Sequence, residues 1–173
     1  PPQLQQKPVF VAPIDNARER VTKKPFGIYV SPQNSPVTPE KFTGYHAGVD
    51  FETFLEEQDV DVSITAICEG KILEKRRASG YGGIIVQSCL FDNNLINVIY
   101  GHIRLLSMKN SDGDVLKAGD FLGFLGTGYS VETDGERKHL HLGIHQGKTI
   151  NIRGYVQTPL ELKNWIDIKQ YLK

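Results

Sequence analysis

The sequence lacks long apolar runs, an excess of one charge and more than two cysteines, and each absence excludes a class of protein. No run of about eighteen apolar residues occurs, so no membrane-spanning helix is predicted. Twenty Lys and Arg residues balance twenty Asp and Glu residues, which excludes a basic field that would hold nucleic acid or an anionic membrane by charge. The start, PPQLQQKP, has no apolar segment of a secretory signal and no methionine. It is typical of a trimmed or engineered N-terminus, which leaves open the earlier removal of an export signal.

The two cysteines, Cys68 and Cys89, are too few for a zinc cluster built on CxxC pairs. The segment between them, GKILEKRRASGYGGIIVQS, predicts a β-hairpin with its turn near residues 78–79. A register that pairs Ile72 with Ile85 places the two cysteines opposite each other. Because free cysteine is often buried as a small apolar residue, the pattern allows either a disulfide or two buried thiols.

Most of the chain has the pattern of short strands separated by turns. Runs such as VSITAICEGKILEKR, GGIIVQSCLF, LINVIYGHI and HLHLGIHQG are rich in β-branched and apolar residues. Segments with Asp-Gly and Gly turn signals separate them, and Pro, Ser, Asn and Gln between Phe26 and Phe42 predict a long surface loop. At 173 residues the chain suits one domain. We therefore predict a mainly β single domain built on an antiparallel sheet, with long surface loops.

A helix is predicted only near the C-terminus. Residues 158–161, Thr-Pro-Leu-Glu, combine an N-cap, a Pro at the first helical position and a Glu able to complete a capping box. The sequence LKNWIDIKQYL follows. We divide the chain into an N-terminal arm (residues 1–24), expected to pack loosely because it has no period, a main domain (residues 25–162) and a C-terminal helical extension (residues 163–173).

The histidines are the first candidates for chemistry. In His139-Leu140-His141, strand alternation places the two imidazoles on one face, about 6.5 to 7 Å apart. This separation suits two groups that meet at one metal ion or its water, although such a pair also occurs by coincidence. His145 has the same strand parity, but nearby glycines can end the strand, and we predict no ligand role for it.

A second candidate segment contains His46 and Asp50, four residues apart in a turn that leads into a strand. Zinc accepts this mixture of nitrogen and oxygen donors in catalytic sites with three protein ligands and an open position for water, whose pKa it lowers to about 7. The alternative is a hydrogen bond within a loop. His102, at the end of the apolar run VIYGHI, is a candidate acid, base or oxyanion donor, or else a half-buried structural histidine.

The segments HAGVDFE, YGHI and HLHLGIH, in this order, resemble the H-x-G-x-D, G-H and H-x-H elements of the lysostaphin-like (LytM-type) zinc metalloendopeptidases, which cut bacterial peptidoglycan cross-bridges. Other blocks are also similar to that family: KPFG to its S-x-F-G start, AICEGKI to its A-x-x-G-x-V strand, and VLKAGD with a later TG to its V-x-x-G-x-x-I-G and T-G segments. The resemblance covers about residues 20–162. It identifies the main domain as a lysostaphin-like metallopeptidase domain with a metal-binding groove.

The resemblance implies that His46, Asp50 and His141 bind one Zn²⁺ per chain, and that His102 and His139 are unliganded catalytic histidines. Three protein ligands leave a fourth position for water. The two remaining imidazoles would then share general-base and oxyanion-stabilising work. The sequence leaves open which of the two takes the proton.

The resemblance further implies a monomer that hydrolyses peptide bonds in peptidoglycan cross-links or stem peptides, with no nucleic-acid partner and no membrane insertion. It places the protein outside the cytoplasmic membrane, where a disulfide persists. The chain departs from the family at Ile28 and Tyr29, where an aromatic residue and Arg are usual, and in loops 31–44 and 129–138. These loops should form the walls of the groove, so they leave open which bond is cleaved.

Two alternatives remain. One is a non-catalytic wall-binding or hydrolase-activating module on the same fold, against which the complete ligand set argues. The other is a non-haem Fe(II) oxygenase, because two histidines and one carboxylate also form that site. Such oxygenases generally have one residue between the first two ligands, whereas three separate His46 from Asp50.

Overall fold

Short strands make up most of the regular structure in the computed structural model, which describes residues 10–172. The mainly β prediction is therefore confirmed. The first nine residues, which belong to the predicted N-terminal arm, and Lys173 lie outside the described residues. The strands are β1 (Tyr29–Val30), β2 (Gly44–His46), β3 (Val49–Glu52), β4 (Ser63–Thr65), β5 (Gly70–Ala78), β6 (Gly82–Phe91), β7 (Asn94–Gly101), β8 (Ile103–Arg104), β9 (Val115–Leu116), β10 (Phe121–Leu125), β11 (His139–Gln146) and β12 (Tyr155–Val156).

The strands form one large sheet and two small ones. The large sheet has the order β3-β11-β7-β6-β5-β9, and the small sheets have the orders β1-β2-β12 and β4-β10-β8. Every pairing between these strands is antiparallel, as predicted. Because β3, β11 and β7 are neighbours, three chain segments that are distant in sequence end side by side.

The central strands of the large sheet are buried on both faces. Alternate residues of β6 and β7 contribute to different apolar clusters, since Ile85 and Tyr100 lie in the larger cluster and Ile84 and Ile99 in the smaller one. The Tyr100 hydroxyl donates to Gln87 Oε1 and accepts from a backbone N–H, each at 2.9 Å. A two-sided core of this kind gives the strands that carry the site a rigid support.

The hairpin predicted between the two cysteines forms β5 and β6, but the predicted register is wrong. Ile72 pairs with Gln87 instead of Ile85, and the pairing shifts by one residue just beyond Ile72. The turn contains Gly80 at φ +83° and is followed by Gly82 at φ +71°. These left-handed positions favour glycine, and they place the turn closer to the C-terminus than residues 78–79 because turn geometry sets hairpin register.

Cys68 and Cys89 form a disulfide, with their Cα atoms 6.2 Å apart. Cys89 pairs across the sheet with Gly70, so Cys68 reaches it from the bend that precedes β5. A Cβ atom at Gly70 would collide with the carbonyl oxygen of Ser88, and only glycine permits this close approach. Of the two alternatives left by the sequence, the structure contains the disulfide.

The described part of the N-terminal arm packs against the core, because its apolar side chains are buried there. Phe10, Ile14 and Ala17 are buried in the larger cluster. Phe10 also forms a parallel β-bridge with Leu172, so both ends of the described chain lie together. Residues 10–24 are therefore not loose, while the domain division at residue 24 stays a prediction.

The predicted C-terminal capping box is present, but the helix is one turn long. Thr158 Oγ1 accepts from the N–H of Glu161 at 3.2 Å, and Glu161 Oε2 accepts from the N–H of Thr158 at 3.0 Å. Beyond the helix, the backbone pairs with β11, and Trp165 and Ile168 are buried. Tertiary contacts thus override the helical tendency of residues 163–172. The helices are α1 (Pro159–Leu162) and the 3₁₀ segments Ala17–Arg20, Leu55–Glu57, Leu105–Ser107 and Ile168–Gln170.

None of the helices in residues 10–172 has the length and apolar character that a membrane span requires.

Candidate active site

Three neighbouring strands bring the candidate residues to one end of the large sheet. Asp50 of β3 pairs with His141 of β11, and His141 pairs on its other side with Gly101 of β7. His102 follows Gly101 directly, and His46 ends β2 just before β3 begins. The antiparallel register therefore gathers the H-x-G-x-D, G-H and H-x-H segments around one point.

Three side-chain atoms form a nearly equilateral triangle at this point. His46 Nε2 lies 3.1 Å from His141 Nδ1 and 3.2 Å from Asp50 Oδ1, and His141 Nδ1 lies 3.1 Å from Asp50 Oδ1. Donor atoms of a tetrahedral zinc ion, each about 2.0–2.1 Å from the metal, are roughly 3.3 Å apart. All three residues are buried, and the group could hold a metal ion. The residues present therefore fit zinc in donor type and spacing.

The two carboxylate oxygens of Asp50 have different neighbours. Oδ1 faces the other two donor atoms, while Oδ2 lies 2.8 Å from Arg137 Nη2 and 3.3 Å from His139 Nε2. Burial opposes ionisation, but the neighbouring imidazoles of His139, His46 and His141, through charge and hydrogen bonding in their protonated forms, hold the pKa of the Asp50 carboxyl well below its usual range. Asp50 is therefore an anion that can serve as a metal ligand.

His139 has its tautomer set by the backbone. Its Nδ1 lies 2.9 Å from the carbonyl oxygen of Arg137, and a carbonyl can only accept, so Nδ1 carries a proton. Nε2 is then the nitrogen that faces Asp50. Strand alternation predicted that His139 and His141 share a face, and the structure places both at the same carboxylate.

His102 lies beside His139, with ring centroids 4.3 Å apart. Its backbone has a φ of +65°, in the left-handed region that non-glycine residues rarely adopt and that recurs at functional sites. The N–H of Gly126 donates to the His102 carbonyl oxygen at 2.8 Å and helps to hold this conformation. Burial and the neighbouring His139 lower the pKa of His102 well below its ordinary value, so this imidazole is neutral near pH 7.

A cleft of about 350 Å³ opens over these residues and has aromatic walls. The Tyr81 ring lies 5.3 Å from that of His141, and the Tyr155 ring lies 5.3 Å from that of His46. Burial raises the pKa of both phenols, so their hydroxyls stay protonated. Other side chains along the wall belong to Lys24, Phe42, Arg137 and Arg153.

Sequence reasoning missed Tyr81, Tyr155 and Arg137 as neighbours of the cluster. The two tyrosines carry no local signal, because each reaches the site from another part of the fold. Arg137 does carry a local signal, because it lies two residues before His139 and therefore has the same strand parity as His139 and His141. His145 packs against Trp165, with ring centroids 4.9 Å apart, and is not part of the three-residue metal group.

The chain belongs to peptidase family M23, because the model of that family, described as "Peptidase family M23", matches residues 44–152. The resemblance to lysostaphin-like peptidases is thereby confirmed. A sequence comparison with curated proteins gives no significant match.

Solved structures show the same fold. The catalytic domain of the antimicrobial peptidase lysostaphin from Staphylococcus simulans superposes with a TM-score of 0.57 at 21% identity, covering 90% of this chain and 96% of that chain. LytU gives a TM-score of 0.55 at 22% identity, covering 88% and 90%. A zinc-containing peptidase from Vibrio cholerae gives 0.52 at 20% identity, covering 81% of this chain and 37% of that chain.

Replacing Gly48 with alanine should weaken metal binding. A Cβ atom at Gly48 would lie 2.7 Å from Cε1 and Nε2 of His141 and from the carbonyl oxygen of Leu142, so the imidazole and the backbone of β11 must both shift. We expect zinc affinity to fall by about 10- to 100-fold, the range seen when the support of a ligand is disturbed. Competition with a chelator measures this. Gly123→Ala, in β10, is the control, and equal affinities for Gly48→Ala and wild type would contradict the prediction.

Proposed function

We propose that the protein is a zinc-dependent endopeptidase that hydrolyses peptide bonds in peptidoglycan cross-links or stem peptides. The observation that carries this proposal is the triangle of donor atoms from His46, Asp50 and His141, with two further histidines beside it in an open cleft. In this proposal the three residues of the triangle hold one Zn²⁺. Membership of peptidase family M23 supports the reaction class.

The residues around the triangle have hydrogen bonds that suit peptide hydrolysis. Zinc at this position would polarise the scissile carbonyl and lower the pKa of a water molecule in the site. His139 can take a proton at Nε2, because its Nδ1 proton is held by the Arg137 carbonyl oxygen. Asp50 Oδ2, 3.3 Å away, then accepts a hydrogen bond from the protonated ring. His102, neutral and adjacent, is placed to donate to the negative charge that develops on the substrate oxygen.

The cleft and the disulfide support a peptide substrate outside the cytoplasm. Tyr81 and Tyr155 offer aromatic walls against which an extended peptide can pack. Disulfides persist in oxidising compartments and are rare in the cytosol, so the bond between Cys68 and Cys89 favours an extracytoplasmic location. We propose that the protein acts there as a monomer.

The test is digestion of purified peptidoglycan by zinc-loaded protein, followed by mass analysis of the fragments. Cell walls with different cross-bridge types, including Gly-Gly and D-Ala-containing bridges, identify the bond that is cleaved. New amino groups should appear with the zinc-loaded protein and not after treatment with a chelator. If zinc is bound and no amines are released, the protein is a non-catalytic module. Stoichiometric iron in the purified protein would instead favour an oxygenase.

A further inference from the structure

We infer that Arg137 is a positioning residue that restricts Asp50 to one metal-binding oxygen. The inference rests on the zinc site proposed above, and it concerns a residue outside the ligand set. Arg137 is close to both parts of the site, because its side chain reaches Asp50 and its carbonyl oxygen reaches His139.

The Arg137 side chain is held by two carboxylates at once. Its Nε donates to Glu52 Oε2 at 2.8 Å, its Nη2 also contacts Glu52 Oε1, and Nη2 donates to Asp50 Oδ2 at 2.8 Å. The planar fork of arginine fixes the direction of each donor, as a lysine ammonium does not. The side chain is 12% exposed, so solvent competes little for these bonds.

Glu52 neutralises the charge of Arg137 and so reduces its repulsion of a bound cation. A guanidinium near a divalent metal would repel it, but the ion pair of Arg137 with Glu52 has no net charge. Lys23 also approaches Glu52, with Nζ 4.0 Å from Oε2, yet its side chain is 46% exposed and largely screened. Arg137 therefore acts on Asp50 mainly through a directed hydrogen bond, with little net repulsion of the metal.

This hydrogen bond decides how Asp50 can bind a metal. A free carboxylate can offer both oxygens to a metal, whereas Oδ2 of Asp50 is occupied by Arg137 and lies against His139. Only Oδ1 is directed at the other two donor atoms. The site then supplies three donor atoms and keeps a fourth position for water, as catalytic zinc sites require.

The segment that carries Arg137 is anchored independently of the metal. The ammonium group of Lys138 donates to the carbonyl oxygens of Glu57, Gln58 and Val60 at 2.8, 3.3 and 2.5 Å. Thr53 Oγ1 donates to the Lys138 carbonyl oxygen at 2.8 Å. Because the backbone at this point is fixed, the Arg137 side chain can hold Asp50 in place before a metal binds.

The experiment compares Arg137→Gln and Arg137→Lys with wild type, using metal-binding measurements that do not depend on catalysis. Zinc affinity is measured by competition with a chelator, and geometry by the visible spectrum of the Co²⁺-substituted protein, which is more intense for four-coordinate than for five-coordinate sites. We expect Arg137→Gln to lower zinc affinity by about 10- to 100-fold and to weaken the Co²⁺ bands, and Arg137→Lys to restore only part of both. The matched control is Arg104→Gln, since Arg104 also bridges two carboxylates, Asp61 and Glu132.

The outcomes separate this inference from the proposed function. If Arg137→Gln and Arg137→Lys keep the wild-type affinity and spectrum, Arg137 does not position Asp50, even though the zinc site stands. The positioning role is also overturned if Arg104→Gln changes both readouts as strongly as Arg137→Gln, because the effect is then a general loss of structure. If wild type itself binds neither metal, the result contradicts the proposed zinc site and not only the role of Arg137.

Discussion

The variant His141→Ala should lose zinc and peptidase activity together. His141 contributes Nδ1 to the triangle of donor atoms, 3.1 Å from each of the other two donors, and two protein ligands cannot hold zinc tightly. We expect zinc affinity to fall by more than the roughly 100-fold upper figure for loss of a supporting residue. Elemental analysis after dialysis, together with release of amines from peptidoglycan, measures both losses.

The variants His139→Ala and His102→Ala should behave differently, because neither residue supplies an atom of the triangle. Zinc should stay bound with close to wild-type stoichiometry, while the rate of hydrolysis falls by about 10²- to 10⁴-fold, the usual contribution of a general acid or base. His145→Ala is the matched control on β11, since His145 packs against Trp165. Zinc loss in His139→Ala with retention in His141→Ala would reverse the assignment within H-L-H.

Removal of the disulfide should cause a large loss of stability. The two cysteines are 21 residues apart in sequence, and closing a loop of that length in the unfolded chain is worth about 3 kcal/mol. The double variant Cys68→Ala/Cys89→Ala should therefore unfold at a clearly lower urea concentration than wild type. Its zinc stoichiometry should be unchanged, because neither cysteine contributes an atom to the triangle of donor atoms.

Urea unfolding of wild type with and without a non-chelating reductant provides a second measurement. Reduction should shift wild type towards the double variant and leave the double variant where it is. Titration of two free thiols in unfolded, unreduced wild-type protein would show that the Cys68–Cys89 disulfide is absent and would contradict the prediction.

The sequence predicted the parts of the fold and site that depend on short repeats and local turn chemistry. Strand alternation in H-L-H placed His139 and His141 on one face, and the capping box at Thr158 and Glu161 is present. The ordered blocks around His46 and Asp50 led to the family. Such features are recoverable because each depends on neighbours within a few positions along the chain.

The parts that the sequence did not predict depend on contacts between distant segments. The hairpin register follows from Gly80, Gly82 and a shift in strand pairing, which no apolar pattern encodes. The burial of Phe10 depends on β-bridging to Leu172, at the other end of the described chain. Arg137 reaches Asp50 across 87 positions. Its strand parity with His139 and His141 indicates their shared face, but the local sequence does not show which carboxylate it contacts.

The left-handed backbone at His102 lowers the stability of the fold, but it holds an imidazole beside His139. At φ +65°, a residue other than glycine lowers the folding stability by about 1–2 kcal/mol. Glycine adopts this conformation without that cost, because it has no Cβ atom. A sequence optimised for stability alone would place glycine here, directly after Gly101. Keeping an imidazole at this point instead sacrifices part of a marginal stability to hold a ring 4.3 Å from that of His139. Under the catalytic role proposed for His102, the backbone conformation of this one residue is a trade-off between stability and activity.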